Sequence, residues 1–293
     1  MDKATTIAGR WTYRILLAGS LLAAAPAGLA QGRAADACGE VVTLQTHDRS
    51  TTRYALGVPE SGAAEKIALV LLPGGSGYAN LDDKGCARAL RGNSLIRSVP
   101  LFNAAGFVTA LVDAPSNHQS ADGLGGFRTA TAHAEDLGRV IIDLRARTQA
   151  PVWIVGTSRG AISAVNAPSR LTGPAAPDGV VVTSALMAGQ PGARIPWVSQ
   201  SVFDLPLEAI RMPVLVVGHA ADTCVRSPPS LMEKITARTN GAREQVATVT
   251  GGPGSTTAGS TVDACEGRSP HGYFEQDAEV AAGIARFVRG GAY

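Results

Sequence analysis

A surplus of either charge is the first thing missing from this sequence. Lys and Arg number 26 against 24 Asp and Glu, and Lys3, Arg10, Arg14 and Asp2 all fall in the first thirty residues, so 23 of each sign remain. A balanced chain offers no electrostatic footprint for nucleic acid or for an anionic membrane surface. Also missing is an apolar run long enough to cross a bilayer, which takes roughly 20 residues. Cysteine is scarce: Cys38, Cys86, Cys224 and Cys265 show no C-x-x-C step of the kind that marks a zinc site. No repeat, charge block or low-complexity linker divides residues 36–293, so a single domain is expected there. Disorder is excluded by a composition that is 45% hydrophobic and 17% charged.

What is present at the N-terminus reads as an export signal. Lys3, Arg10 and Arg14 precede the apolar run Ile15 to Ala25, then Pro26 and the small-residue end Gly28-Leu29-Ala30. Residues 1–30 are therefore expected to be removed, with cleavage after Ala30 and Ala35 as the second choice. The run is too short for a membrane anchor, so no stable membrane insertion is expected after cleavage. An even number of cysteines in an exported chain implies disulfides in a periplasmic or secreted protein, with three pairings open.

Further on, buried-strand signals alternate with helical ones. Two early strands are expected at Glu40 to Gln45 and Arg53 to Val58, followed by the apolar runs Ile67 to Leu72, Phe107 to Val112, Val152 to Val155, Gly179 to Val182 and Val214 to Val217, with Val246 to Val249 weaker. Ala134, Leu137, Ile141 and Leu144 recur at helical spacing, with Asp136, Arg139, Asp143 and Arg147 on the opposite face. Val280, Ile284 and Phe287 repeat the pattern near the C-terminus. The alternation predicts an α/β fold: a mainly parallel central sheet flanked by helices, with functional groups at the carboxyl ends of the strands.

Gly156-Thr-Ser158-Arg-Gly160 fits G-x-S-x-G. In a chain with 34 glycines the pentapeptide alone is weak. Its place between a buried strand and a helix start strengthens it, because a sharp strand-to-helix turn exposes the serine while the flanking glycines leave room for it. The plainer alternative is a βα turn with Ser158 as an N-cap.

A serine hydroxyl needs a base to take its proton and a third group to orient that base. Of the five histidines, His47 lies in a polar turn, His118 in a loop, His133 on the exposed side of a helix, His219 at a strand end, and His271 in a turn before the last helix. Asp222 follows the strand Val214 to Val217. The order Ser158, Asp222, His271 differs from that of chymotrypsin-like and subtilisin-like enzymes.

With these residues in that order, the chain from about Arg53 to Val288 resembles the α/β-hydrolase superfamily. The resemblance implies Ser158 as nucleophile, Asp222 as the acid after the seventh strand and His271 as the base. It places half of an oxyanion hole in the turn Pro73-Gly74-Gly75-Ser76-Gly77, with the N–H of Gly75, or alternatively Ser76, acting beside that of Arg159. The glycine-rich turn lacks the Gly-Lys-Ser/Thr ending of a phosphate-binding P-loop and does not match G-x-G-x-x-G. Pro73 stands where many members have His, which is closer to secreted cutinase-like and polyester-hydrolysing members.

About thirty residues separate the strand near Val182 from that at Pro213, too few for a large cap domain. Tyr78, Trp197 and Phe203 are pocket candidates. The resemblance also brings the Asp222 and His271 loops together, favouring Cys224 with Cys265 and leaving Cys38 with Cys86. It implies a small-molecule or polymeric ester as substrate and needs no metal or organic cofactor. A lactonase, amidase or peptidase would use the same residues, and a non-catalytic binding protein on the same fold is the rival from another class.

Overall fold

The computed structural model describes Met1 and residues 37–59, 67–254 and 259–293. The expected export signal lies outside the described residues apart from Met1. From residue 37 onward the described chain forms one compact unit. No helix among the described residues is long and apolar enough to cross a membrane.

Eight strands make one sheet: β1 (Glu40–Gln45), β2 (Thr51–Gly57), β3 (Ala68–Leu72), β4 (Val108–Val112), β5 (Val152–Thr157), β6 (Gly179–Thr183), β7 (Val214–His219) and β8 (Glu244–Val249). Their order is β1-β2-β4-β3-β5-β6-β7-β8. Only β2 runs against the rest, pairing antiparallel with β1 and β4. The helices are α1 (Ser94–Ala104), α2 (Thr131–Thr148), α3 (Arg159–Arg170), the one-turn α4 (Pro196–Ser199) and α5 (Glu233–Thr236), and α6 (Asp277–Val288).

The apolar strand runs are buried on both faces, and their side chains divide by alternation. Ala68, Val70 and Leu72 of β3 join Leu137, Ile141 and Leu144 of α2 and Ile162 and Val165 of α3 in one core layer. Leu69 and Leu71 point the other way, into a layer with Phe102 of α1 and Ile284 and Phe287 of α6. A period of two along a strand leaves no other choice when helices cover both faces. Between β6 and β7 lie only the four-residue α4 and short 3-10 turns, so there is no large cap domain.

The second face of α2 departs from the sequence expectation. His133 and Asp136, read as solvent-facing, are 3% and 2% exposed. The turn around His47 and helix α3 cover that side. Asp136 accepts from the His47 amide at 2.9 Å, and His133 Nε2 meets Ser163 Oγ of α3 at 2.8 Å. Helix α1, not anticipated from the sequence, contains Pro100; its N-cap Asn93, which accepts from the Leu95 amide, is the local signal.

Disulfides join Cys38 to Cys86 and Cys224 to Cys265. The first ties the chain before β1 to the loop after β3, where the Cys38 amide also donates to Lys84 O at 2.9 Å. Replacing Cys38 and Cys86 together by serine is expected to lower the unfolding free energy by about 3 to 4 kcal/mol, the chain-entropy value for a loop of this size. The unfolding free energy from urea titration, with the m-value fitted for each protein, checks it; an unchanged free energy would assign the bridge no stabilising role.

Candidate active site

Strand β5 delivers Ser158 to a conformation that few residues adopt, with φ 54° and ψ −122°. Such a non-glycine backbone costs of order 1–3 kcal/mol and persists only where its surroundings fix it. Here the Ser158 amide donates to Thr183 O at 2.9 Å, and the flanking glycines admit backbone where a side chain would not fit. A Cβ on Gly160 would lie 2.1 Å from Leu72 O, and one on Gly156 would lie 2.3 Å from Gly160 O. The turn after β3 comes equally close: a Cβ on Gly74 would stand 2.9 Å from the Ser158 Cβ.

Three chain segments converge on the serine. His271 Nε2 lies 3.0 Å from Ser158 Oγ, and His271 Nδ1 lies 2.9 Å from Asp222 Oδ2. The second Asp222 oxygen accepts from the Cys224 amide at 2.8 Å. His271 and Asp222 are buried, while Ser158 is half-exposed. None of the other four histidines contacts Ser158 among the described residues. His219, the other strand-end candidate, is engaged elsewhere: its Nδ1 accepts from the Ala221 amide, and its Nε2 pairs with Gln276 Oε1 at 2.9 Å.

A polar frame that the sequence does not announce holds the His271 loop. Ser184 Oγ donates to His271 O at 2.7 Å, and the Tyr273 hydroxyl accepts from the Ser184 amide at 3.0 Å while donating to Val217 O at 2.9 Å. Tyr273 thereby joins the ends of β6 and β7 to the loop. Arg97 of α1 donates to Gly92 O, to Gly267 O at 3.0 Å and to Gly272 O at 2.7 Å, and pairs with Asp277 at the start of α6. The Cys224–Cys265 bridge, with Cα atoms 4.6 Å apart, fastens the Asp222 loop to the same segment.

The cleft in front of Ser158 measures about 370 Å³, within the range of small-molecule sites. Gly75, Arg159, Trp197, Arg226 and His271 line it. Tyr78 and Phe203 do not: Tyr78 bonds Asn80, and Phe203 packs on the core under the Arg238 guanidinium. Ser76 is turned to the Tyr78 amide and, through its carbonyl, to Leu124. Gly75 is left-handed at φ 59°, and neither its amide nor that of Arg159 donates a hydrogen bond among the described residues.

Behind the Gly75 turn sits Arg128, 2% exposed and with no acidic partner among the described residues. It donates to Ser163 Oγ at 2.7 Å and to the carbonyls of Pro73 and Gly75 at 3.3 Å. Burial, reinforced by the Arg159 charge, pulls its guanidinium down to about 9, which leaves it charged at neutral pH. Burial and the Arg128 charge push His133 down to about 3, so that imidazole is neutral. As for metals, Asp222, Cys224 and His271 cluster closely, but the Cys224 sulfur is in a disulfide and His271 Nδ1 faces Asp222. That donor set does not fit a metal ion.

No protein-family model matches the chain, and no curated protein matches it in sequence. Solved structures do match in fold. The chain is similar to DcsB in complex with its substrate analogue (TM-score 0.57, 15% identity, 85% of this chain and 98% of that one). It is also similar to a proline iminopeptidase from Mycobacterium smegmatis (TM-score 0.56, 12% identity, 85% and 98%), and to an α/β serine hydrolase homologue from Coxiella burnetii (TM-score 0.51, 13% identity, 85% and 97%). With the strand order above, these likenesses establish the fold: the chain has the α/β-hydrolase fold.

Two expectations follow from this frame. Tyr273→Phe removes the hydroxyl's two hydrogen bonds but leaves the Ser184 amide donating to Val217 O at 2.9 Å, so it should cost about 1 kcal/mol in urea unfolding; an unmoved unfolding free energy would remove the hydroxyl from the frame. His133 gives a pH dependence. The unfolded chain binds a proton at His133 as pH falls through about 6.5, whereas the folded protein does so only near 3. Its contribution is therefore complete above 6.5 and is lost between those values at about 1.4 kcal/mol per pH unit. The stability of His133→Gln, measured across that window, should fall with a slope shallower by about 1 kcal/mol per unit; equal slopes would show that His133 charges in the folded state.

Proposed function

We propose that this protein is an exported serine hydrolase that cleaves a carboxylic ester through an acyl-enzyme. The observation that carries the reading is His271, which bridges Ser158 at 3.0 Å and Asp222 at 2.9 Å across 113 and 49 residues of chain. Such a relay makes a hydroxyl nucleophilic and has no evident structural use in a half-open cleft. Export is supported by the two disulfides, which suit an oxidising compartment, and by the N-terminal sequence pattern. On this reading the signal ends at Ala30 and one catalytic domain occupies residues 36–293.

In the first half-reaction Ser158 Oγ attacks the ester carbonyl as its proton passes to His271 Nε2. Asp222 accepts from Nδ1–H, fixes the tautomer and stabilises the imidazolium. The carbonyl electron pair becomes an oxyanion facing the amides of Gly75 and Arg159, neither of which has a partner among the described residues. Collapse breaks the bond to the alcohol oxygen, which leaves with the proton from Nε2. Water then gives a proton to Nε2, adds to the acyl carbon, and the acid departs as Ser158 Oγ recovers its proton. The lining of the Ser158 cleft favours Gly75 over Ser76 as the first oxyanion donor.

A fluorophosphonate probe should label the folded protein at Ser158, and Ser158→Ala should not label. With p-nitrophenyl esters of graded chain length, Ser158→Ala and His271→Ala should each lower turnover by about a thousandfold or more. Absence of labelling in folded protein, or full turnover by either variant, would overturn the reading.

A further inference from the structure

The cleft carries two cations for which ester cleavage has no use as side chains. Arg226 is 6% exposed and lines the cleft beside Ser158. One of its terminal nitrogens donates to Gln200 O at 3.1 Å, while its buried Nε has no partner. The backbone carbonyl of Arg226 accepts from the amides of Met187 and Ala188 at 2.9 and 3.0 Å, which fixes where the side chain begins. Arg159 contributes the second guanidinium, held 3.6 Å from the centre of the Trp197 ring. Neither arginine has a carboxylate within 4.0 Å among the described residues.

A buried guanidinium is normally paired with a carboxylate or saturated by carbonyls, because leaving a donor bare in a desolvated place is costly. Arg226 is neither. Burial holds both groups below the usual arginine range, and the Arg226 charge pushes Arg159 further the same way. Arginine nonetheless stays protonated at neutral pH. The acids nearby are Glu266 on the rim and Asp122 near Arg159, and both are exposed to solvent. Solvent screens them, so the two cations remain unneutralised where a substrate would lie.

We propose that Arg226, with Arg159, forms an anion subsite beside Ser158, and that the ester this protein cleaves carries a carboxylate in the same molecule. The proposal rests on Ser158 being the nucleophile. A carboxylate suits the site because its two oxygens can accept from the terminal N–H groups of the two guanidinia. The stacking of Arg159 on Trp197 keeps the second cation extended and lowers the entropy lost when an anion is gripped.

The test compares monomethyl adipate and monomethyl suberate with methyl hexanoate and methyl octanoate, following methanol release at low ionic strength. The monoesters of the diacids should be preferred in kcat/KM by about tenfold or more, the value of a charge-assisted contact. Added NaCl should shrink that ratio. Arg226→Gln should bring the ratio to within about twofold of one, Arg226→Lys should keep part of it, and Arg159→Gln should lower it independently.

A wild-type ratio at or below one, or a ratio that survives Arg226→Gln, overturns the subsite. If Arg226→Gln does not fold, the wild-type ratio and that of Arg159→Gln decide. Fluorophosphonate labelling separates the two claims: a protein that labels and cleaves neutral esters without preference keeps the hydrolase reading and loses the subsite, whereas one that neither labels nor cleaves loses both.

Discussion

Backbone packed directly against backbone is the constraint on which the cleft depends. The start of α3 presses on the end of β3 so closely that a single methyl on Gly160 would sit 2.1 Å from the Leu72 carbonyl. That approach turns the chain sharply enough to leave Ser158 at positive φ, and the turn after β3 closes on the serine from the other side through Gly74. Three glycines without side chains thus determine where one hydroxyl stands. The strain at Ser158 is held by the parallel core on either side, whose strands are buried throughout.

The other half of the arrangement is held by polar bonds. His271 arrives on a loop after β8, and its place is set by Ser184, Tyr273, Arg97 and the Cys224–Cys265 bridge. Each of these contacts reaches a different element: β6, β7, α1 and the Asp222 loop. Hydrogen bonds of this kind are directional, so they locate an imidazole to within a fraction of an ångström in a way that dispersion does not. Their low net worth in stability is no obstacle, because the sheet supplies the stability and the frame supplies the position.

What the sequence made legible follows from this division. Strands buried on both faces announce themselves as apolar runs, and all eight strands lie within two residues of their expected bounds, with β8 the weakest signal because it alternates at the edge. The meeting of Ser158, Asp222 and His271 was legible because the strand-to-helix turn has a local signature and the two partners follow later strands in a recognisable order. The frame was not legible. Tyr273 and Ser184 look like ordinary loop residues, and nothing local says that Arg97 reaches across 180 positions to Asp277. His133 and Asp136 were misjudged for a related reason: a helical wheel shows which face is polar, not that a second layer of polar groups lies against it. Arg226 had one signal available, an isolated charge in the uncharged stretch Cys224-Val-Arg226-Ser-Pro-Pro beside the acid loop.

Arg128 and Arg226 show how two buried arginines can serve different ends. Arg128 is spread over three acceptors, Ser163 and the carbonyls of Pro73 and Gly75, so its hydrogen bonds hold the turn in shape. Its charge lies behind the Gly75 turn that lines the cleft. Arg226 has one acceptor and a bare Nε, so it organises nothing in the protein that a neutral side chain could not. The Nε of each is buried without a partner, but the terminal nitrogens of Arg128 meet three acceptors where those of Arg226 meet one. A charge that the fold leaves unanswered at the wall of a cleft is best understood by what enters that cleft, and complementarity then requires an anion.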